Sequence, residues 1–125
     1  MFAWGDYLTL AQFLEQHASQ TGTQEAALRS SISRAYYAAY GLMRRWASQH
    51  PGAPFVPTRT GSDHSQLREW LRRSGFTVEA QELERLHKRR KQCDYDDVLS
   101  QALNVACQQA LLQAEDTLKA LGITS

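Results

Sequence analysis

The chain has 125 residues, 42% of them hydrophobic and 22% charged, which is the balance of an ordinary globular protein and excludes a disordered tail or a disulfide scaffold. Its length allows one hydrophobic core and leaves no comfortable room for two, so residues 1–125 are expected to form a single domain. Fourteen Lys+Arg against thirteen Asp+Glu leave a net charge of +1, and any affinity for nucleic acid must then come from a local patch.

Asp6 can cap a first helix in which Tyr7, Leu10, Ala11, Leu14 and Ala18 fall at helical spacing, with Thr21-Gly22 ending it. Thr23 caps the longest pattern, a continuous apolar stripe of Leu28, Ile32, Ala35, Tyr36, Ala39, Leu42, Met43 and Trp46. Residues 50–63 hold all three prolines and no periodicity, so a flexible, extended loop is expected there. Ser62 or Asp63 then caps a short helix with Leu67, Trp70 and Leu71 on one face, closed by Ser74-Gly75. A fourth helix begins near Thr77, buries Phe76, Ala80, Leu83 and Leu86, and carries Arg90 onto the same side before stopping at Cys93-Asp94-Tyr95. Asp97 or Ser100 opens a last helix with Leu99, Ala102, Leu103, Ala106, Ala110, Ala114, Leu118 and Leu121 in phase, closed by Gly122. The sum is all-α: a four- to five-helix up-and-down bundle without internal repeats.

Cys93 and Cys107 lack a second cysteine pair or a histidine cluster, so they read as reduced thiols and neither a zinc site nor any other metal or cofactor is expected. No run approaches the roughly 18 apolar residues of a membrane span, and Met1 to Tyr7 lacks the pattern of a secretory leader. A cytoplasmic protein without membrane contact is the expectation.

Two constellations carry chemistry. In the run Ser33-Arg34-Ala35-Tyr36-Tyr37-Ala38-Ala39-Tyr40, Tyr36 belongs to the apolar stripe, while Ser30, Ser33, Arg34, Tyr37 and Gly41 line an adjacent one. Tyrosines at this spacing are commonly core. The sharper expectation puts Arg34 and Tyr37 in a polar pocket or subunit contact, with Asp94 as the carboxylate a partly buried Arg34 requires. The second constellation runs from Arg85 to Asp97. Its cations Arg85, Lys88, Arg89 and Lys91 are candidate phosphate contacts, although a basic stretch of this length is commonly a solvated face. Arg90 differs because helical phase turns it inward.

Together the two segments resemble the HEPN family, named for higher eukaryotes and prokaryotes nucleotide-binding. Its small prokaryotic members pair an S-R-A-Y-Y-A-x-aromatic run on a long early helix with R-x-x-A-D-Y before the last helix. Here these stand as Ser33 to Tyr40 and Arg90-Lys91-Gln92-Cys93-Asp94-Tyr95, with cysteine replacing the usual alanine. The resemblance implies a four- or five-helix bundle, commonly a homodimer, often encoded beside a small nucleotidyltransferase in toxin–antitoxin or defence loci. It also implies metal-independent ribonuclease chemistry, in which a histidine four to six residues after an arginine deprotonates a ribose 2′-hydroxyl while the arginine stabilises phosphate charge.

The chain departs from that pattern: Tyr95, Asp96 and Asp97 occupy the positions expected to hold the histidine. Tyrosine, with an ordinary pKa near 10, is a poor base at neutral pH. Arg59 and His64 have the spacing but lie in the proline-rich loop and its cap, which reads as a chance match. His87, three residues before Arg90 on roughly the same face, can act as base only with altered geometry. The leading expectation is a HEPN-like dimerising module that engages a nucleotidyltransferase, a nucleotide or RNA without cutting it. The alternative is a ribonuclease toxin using Arg90 with Tyr95 and Asp94 in catalytic roles, and the bland reading is a buried ion network of Arg34, Arg90 and Asp94 without chemistry.

Overall fold

A computed structural model describes residues 1–99 and 101–123. It contains helices α1 (Gly5–His17), α2 (Gln24–Ser48), α3 (Asp63–Arg73), α4 (Thr77–Tyr95) and α5 (Leu103–Ala120), with a 3-10 turn over Ala18–Gln20 and no strand among the described residues. The chain is thus an all-α helical bundle. No helix of the described residues is long and apolar enough to cross a membrane.

Helix α2 is the axis. It packs against α1, α4 and α5, and less extensively against α3, which leans mainly on α4. Its apolar stripe is wide because alanines alternate with larger side chains: Ile32, Ala35, Tyr36, Ala38, Ala39 and Met43 are all fully buried. The small residues let neighbouring helices approach closely, and Leu67 and Leu71 of α3, Leu83 and Leu86 of α4 and Cys107 of α5 fill the remaining space. On α1 the buried residues are Leu8 and Ala11, whereas Leu10, expected in the stripe, faces outward.

Helix starts are made differently from the expectation, whereas α3 ends at Ser74-Gly75 and α5 before Gly122 as expected. Thr23 and Ser62 occupy the capping positions of α2 and α3, but neither side chain accepts a backbone N–H of its helix, and Asp6 lies inside the first turn of α1; the Ser62 hydroxyl instead accepts from the Gln66 side chain at 3.2 Å. Asp63 turns away from α3: its carboxylate accepts the backbone N–H of Thr58 at 2.9 Å and of Arg59 at 2.8 Å, together with the Thr58 hydroxyl. The carboxylate satisfies loop donors instead of helix donors, which is why a 2% exposed aspartate is tolerated.

That arrangement also corrects the expectation of a flexible link over residues 50–63. Phe55 is buried, its N–H donates to the Ala47 carbonyl at 3.0 Å, and Trp70 Nε1 donates to the Ala53 carbonyl at 2.9 Å. The prolines prevent regular structure, yet the loop is docked through one apolar anchor and several backbone bonds. The start of the last helix moves as well. Asp97 does not open α5, which begins at Leu103; Ser100, the other expected start, lies outside the described residues. Arg29 explains the extended joint, donating to the carbonyls of Cys93 at 3.0 Å, Asp96 at 2.5 Å and Asp97 at 3.1 Å. The Cys93 carbonyl is one that the last turn of α4 leaves without an intrahelical partner, and the other two belong to the residues that follow the helix.

Gly41 sits mid-helix under the Trp4 ring, and a Cβ built there would fall inside the indole. Helix propensity favours Gly41→Ala by about 1 kcal/mol, whereas overpacking costs about 1–3 kcal/mol. Because the obstacle is the body of a ring, the steric cost wins. Gly41→Ala is expected to lower the urea midpoint, and a midpoint equal to or above wild type would show that Trp4 moves aside freely.

Candidate functional site

Three helices each present a pair of polar side chains one turn apart, and the pairs meet. α2 contributes Tyr36 and Tyr40 with Tyr37 between them, α3 contributes His64 and Arg68, and α4 contributes His87 and Arg90. The spacings of three and four residues place each pair on one helical face. The Tyr36 hydroxyl is hydrogen-bonded to His64 Nδ1. The His64 imidazole stacks on Tyr40, with centroids 4.2 Å apart. On its other side it lies 5.2 Å from the His87 ring at an interplanar angle of only 7°. Arg68 Nη1 contacts His87 Nδ1 at 3.2 Å.

The arginines are layered between rings. Arg90 lies 5.8 Å from the Tyr36 centroid and 5.3 Å from that of Tyr37; Arg34 lies over Tyr37 and Tyr7; Arg44 lies over Tyr40 and Trp4. A weakly hydrated guanidinium is well suited to such faces. The Arg90 side chain is 12% exposed and Nη1 donates to Asp94 Oδ2 at 3.0 Å. Its Nε is buried and has no acceptor among the described residues.

This geometry fixes protonation. Burial, reinforced by Arg68, His64, Arg90 and Lys91, pushes His87 down to about 4, and burial with Arg90 and Arg68 lowers His64. Both imidazoles are therefore neutral at neutral pH. Burial raises the Tyr36 and Tyr40 phenols, so they stay protonated. For Arg90, burial alone works against the charge, but Asp94, Tyr37 and Tyr95 more than offset it and the guanidinium is raised. The site is a surface of uncharged donors and acceptors set among cations.

The residues expected to form sites are distributed unevenly. Arg90 and Tyr37 lie against Tyr36, Asp94 joins them through Arg90, and Arg34 lies over Tyr37. Arg34, however, does not pair with Asp94, whose carboxylate is held by Arg90. The run Arg85, Lys88, Arg89 and Lys91 is not one phosphate surface, because a helix spreads consecutive residues around its circumference. Arg85 pairs with Glu82 at 2.7 Å, and Arg89 donates to Gln101 and Gln109, each at 3.0 Å. Both line a groove of about 820 Å³ between α4 and α5. Lys88 is exposed, and Lys91 shares the side of α4 that carries His87 and Asp94. Tyr95 is 75% exposed and borders a shallow depression with Glu25, Arg29, Asp94, Asp96 and Asp97, which adjoins the cluster through the Arg90–Asp94 pair.

Arg59 and His64, whose spacing is expected to be a chance match outside the site, part company: the first turn of α3 carries His64 to the centre of the cluster, while Arg59 stays on the surface. Arg68, Arg44 and the inward role of His64 were missed. The available signal was the repeated pattern of histidine followed one turn later by arginine, His64/Arg68 and His87/Arg90. Among the described residues no group of three or more His, Cys, Asp or Glu side chains is placed to hold a metal ion. No family model, curated protein or solved structure matches the chain.

The depressed His87 sets a stability profile. Above pH 6.5 both the folded and unfolded chains leave it neutral; as pH falls from 6.5 towards 4 the unfolded chain takes the proton first, so stability declines across that window. His87→Gln should flatten part of the decline in urea midpoint between pH 7.5 and 4.5. An unchanged slope would remove His87 as its source.

Proposed function

We propose that the chain is a HEPN-like module that works as a homodimer and uses the face built from α2, α3 and α4 to bind the phosphates of RNA or a nucleotide. The partner implied by the family resemblance is a nucleotidyltransferase of a toxin–antitoxin or defence system, and the expected location is the cytoplasm. One observation carries the phosphate reading: Arg68 and Arg90 meet at the histidine and tyrosine rings, flanked on α2 by Arg44 over Tyr40 and Arg34 over Tyr37, and of these four only Arg90 has a carboxylate partner among the described residues. Elsewhere Arg29, Arg72 and Arg85 are paired with glutamates, and Arg45 and Arg89 donate to neutral oxygens; the cluster differs in holding its guanidiniums against aromatic and imidazole rings. A cluster of guanidiniums short of anions, interleaved with aromatic rings, suits phosphates and stacked bases together. It supplies the local patch that a net charge of +1 requires.

Four arginine contacts to a single strand correspond to a salt slope of about −2.8, or roughly fifty-fold weaker binding between 50 and 200 mM salt. Fluorescence anisotropy with labelled single-stranded RNA should show that dependence. Arg68→Gln and Arg90→Gln are expected to weaken binding by about tenfold, in line with the loss of a charge-assisted hydrogen bond, and Arg85→Gln by less than about twofold, since Arg85 is already paired. A flat salt response would end the phosphate reading, and a monomer by analytical ultracentrifugation at micromolar concentration would end the dimer.

A second reading, metal-independent cleavage of RNA, is favoured by the two neutral imidazoles beside Arg68 and Arg90. Neutral histidine is the form a general base needs, and arginine is the group that stabilises developing phosphate charge. In this reading His64 or His87 takes the role first assigned to Tyr95. With excess EDTA, cleavage by wild type should disappear in Arg90→Ala and His87→Gln and persist in Tyr95→Phe. Cleavage lost only in Tyr95→Phe would restore the original assignment.

A further inference from the structure

The His64–His87 stack has a proton inventory that its neighbours determine. A guanidinium only donates, so the contact from Arg68 Nη1 to His87 Nδ1 at 3.2 Å makes that nitrogen an acceptor and leaves the ring proton on Nε2. The groups that face the pair are cations on every side: Arg44 from α2, Arg68 from α3, and Arg90 with Lys91 from α4. Two carboxylates lie close, and both are occupied. Asp63 holds Thr58 and Arg59, and Asp94 holds Arg90. The tyrosines around the stack, Tyr36 and Tyr40, are held protonated by burial. Beside the stack, the buried Nε of Arg90 lacks an acceptor among the described residues, an exception among buried donors that an anionic oxygen would remove.

We infer that a dianionic phosphate group, such as the terminal phosphate of a nucleotide or an RNA end, seats between Arg68 and Arg90 against the His64–His87 stack, and that its binding draws one proton from solvent onto the imidazole pair. This rests on the reading of the same face as a phosphate surface. When Arg68 turns from His87 Nδ1 to an anion oxygen, the freed lone pair accepts the proton, and the new imidazolium donates to the anion. An N–H bond forms on the imidazole as the proton leaves a buffer acid or hydronium in solvent, whose conjugate base stays in solution; no bond between heavy atoms changes and no redox step is involved. The stack is kept neutral by burial first and by the surrounding cations second, so a ligand that cancels those charges and accepts a hydrogen bond from the imidazolium moves the balance towards protonation. Linkage makes the effect reciprocal: the anion raises imidazole basicity, and acid raises anion affinity. A terminal phosphate carries about −1.5 to −2 charge at pH 7, more than an internal diester, and compensates more of the cationic field. The site thus favours strand ends and mononucleotides over strand interiors.

Inorganic sulfate is the probe, since its charge is constant across the relevant pH range and any proton taken up belongs to the protein. Calorimetric titration of the wild-type protein at pH 6 in two buffers of different ionisation heat should give an uptake approaching one proton per sulfate. Affinity should rise by up to about tenfold per pH unit on going from pH 7 towards pH 5, with circular dichroism reporting that the fold persists. Arg68→Gln should abolish both, while the proton count itself needs no variant. In parallel, sulfate should displace labelled RNA carrying a 5′-phosphate more readily than the same RNA without it. Sulfate binding with no proton uptake and equal affinity at pH 5 and 7 would overturn the inference. So would RNA binding that is blind to sulfate, pH and the terminal phosphate, and it would leave the proposed function standing. Proton-coupled sulfate binding without any binding of RNA or nucleotide would do the reverse, keeping the site and removing the function.

Discussion

A fully buried phenol is the constraint around which this bundle is organised. Tyr36 sits at the centre of α2 with no exposed surface, and a hydroxyl in that position must find a partner or cost a few kcal/mol in lost hydration. Its partner is His64. Satisfying one oxygen therefore brings the start of α3 onto α2, and with it the proline-rich loop that Asp63 anchors and the arginine one turn further on. The same ring stacks against His87 and lies beside Arg90, so α4 is registered against the same residue. Packing and polar chemistry are here one problem with one solution.

Most of the architecture was legible in the sequence. The apolar stripes of α2, α4 and α5 repeat at helical spacing over long windows, and no β-like alternation competes with them. What escaped were features decided by partners distant in sequence. Arg29 and the carbonyls it holds are more than 60 residues apart, so the late start of α5 had no local signature. The prolines of the loop correctly announced the absence of regular structure; they carried no information about Phe55 or the Trp70 indole, which tie that irregular path down. Asp63 looked like a cap because aspartate before a helical pattern commonly is one, and the loop's own N–H groups outbid the helix for it.

The candidate site was half legible. Arg90 could be placed on an inward face by phase alone, and the tyrosine run stood out by composition. His64 could not be placed, because its position depends on how a loop of fourteen residues, 50–63, folds back. The charged run on α4 misled in the opposite direction. Its density on paper suggested a patch, whereas the helix distributes Arg85 and Arg89 to the α5 side and leaves the concentrated charge to residues scattered over three helices. Charge density along a chain and on a surface are different quantities, and near neutrality overall the second is the one that matters.

The grip of Arg29 has a consequence for how this molecule can change. It acts on main-chain carbonyls at Cys93, Asp96 and Asp97, and a carbonyl is the same atom whatever side chain it belongs to. The joint after α4 is thus held in a manner indifferent to local sequence, and Asp96, Asp97 and Val98 all point their side chains into solvent. This stretch can exchange its outward chemistry by drift or by selection while the end of α4, and Arg90 upon it, stays in register. The fold thus sets a stretch free to change beside one whose geometry is held.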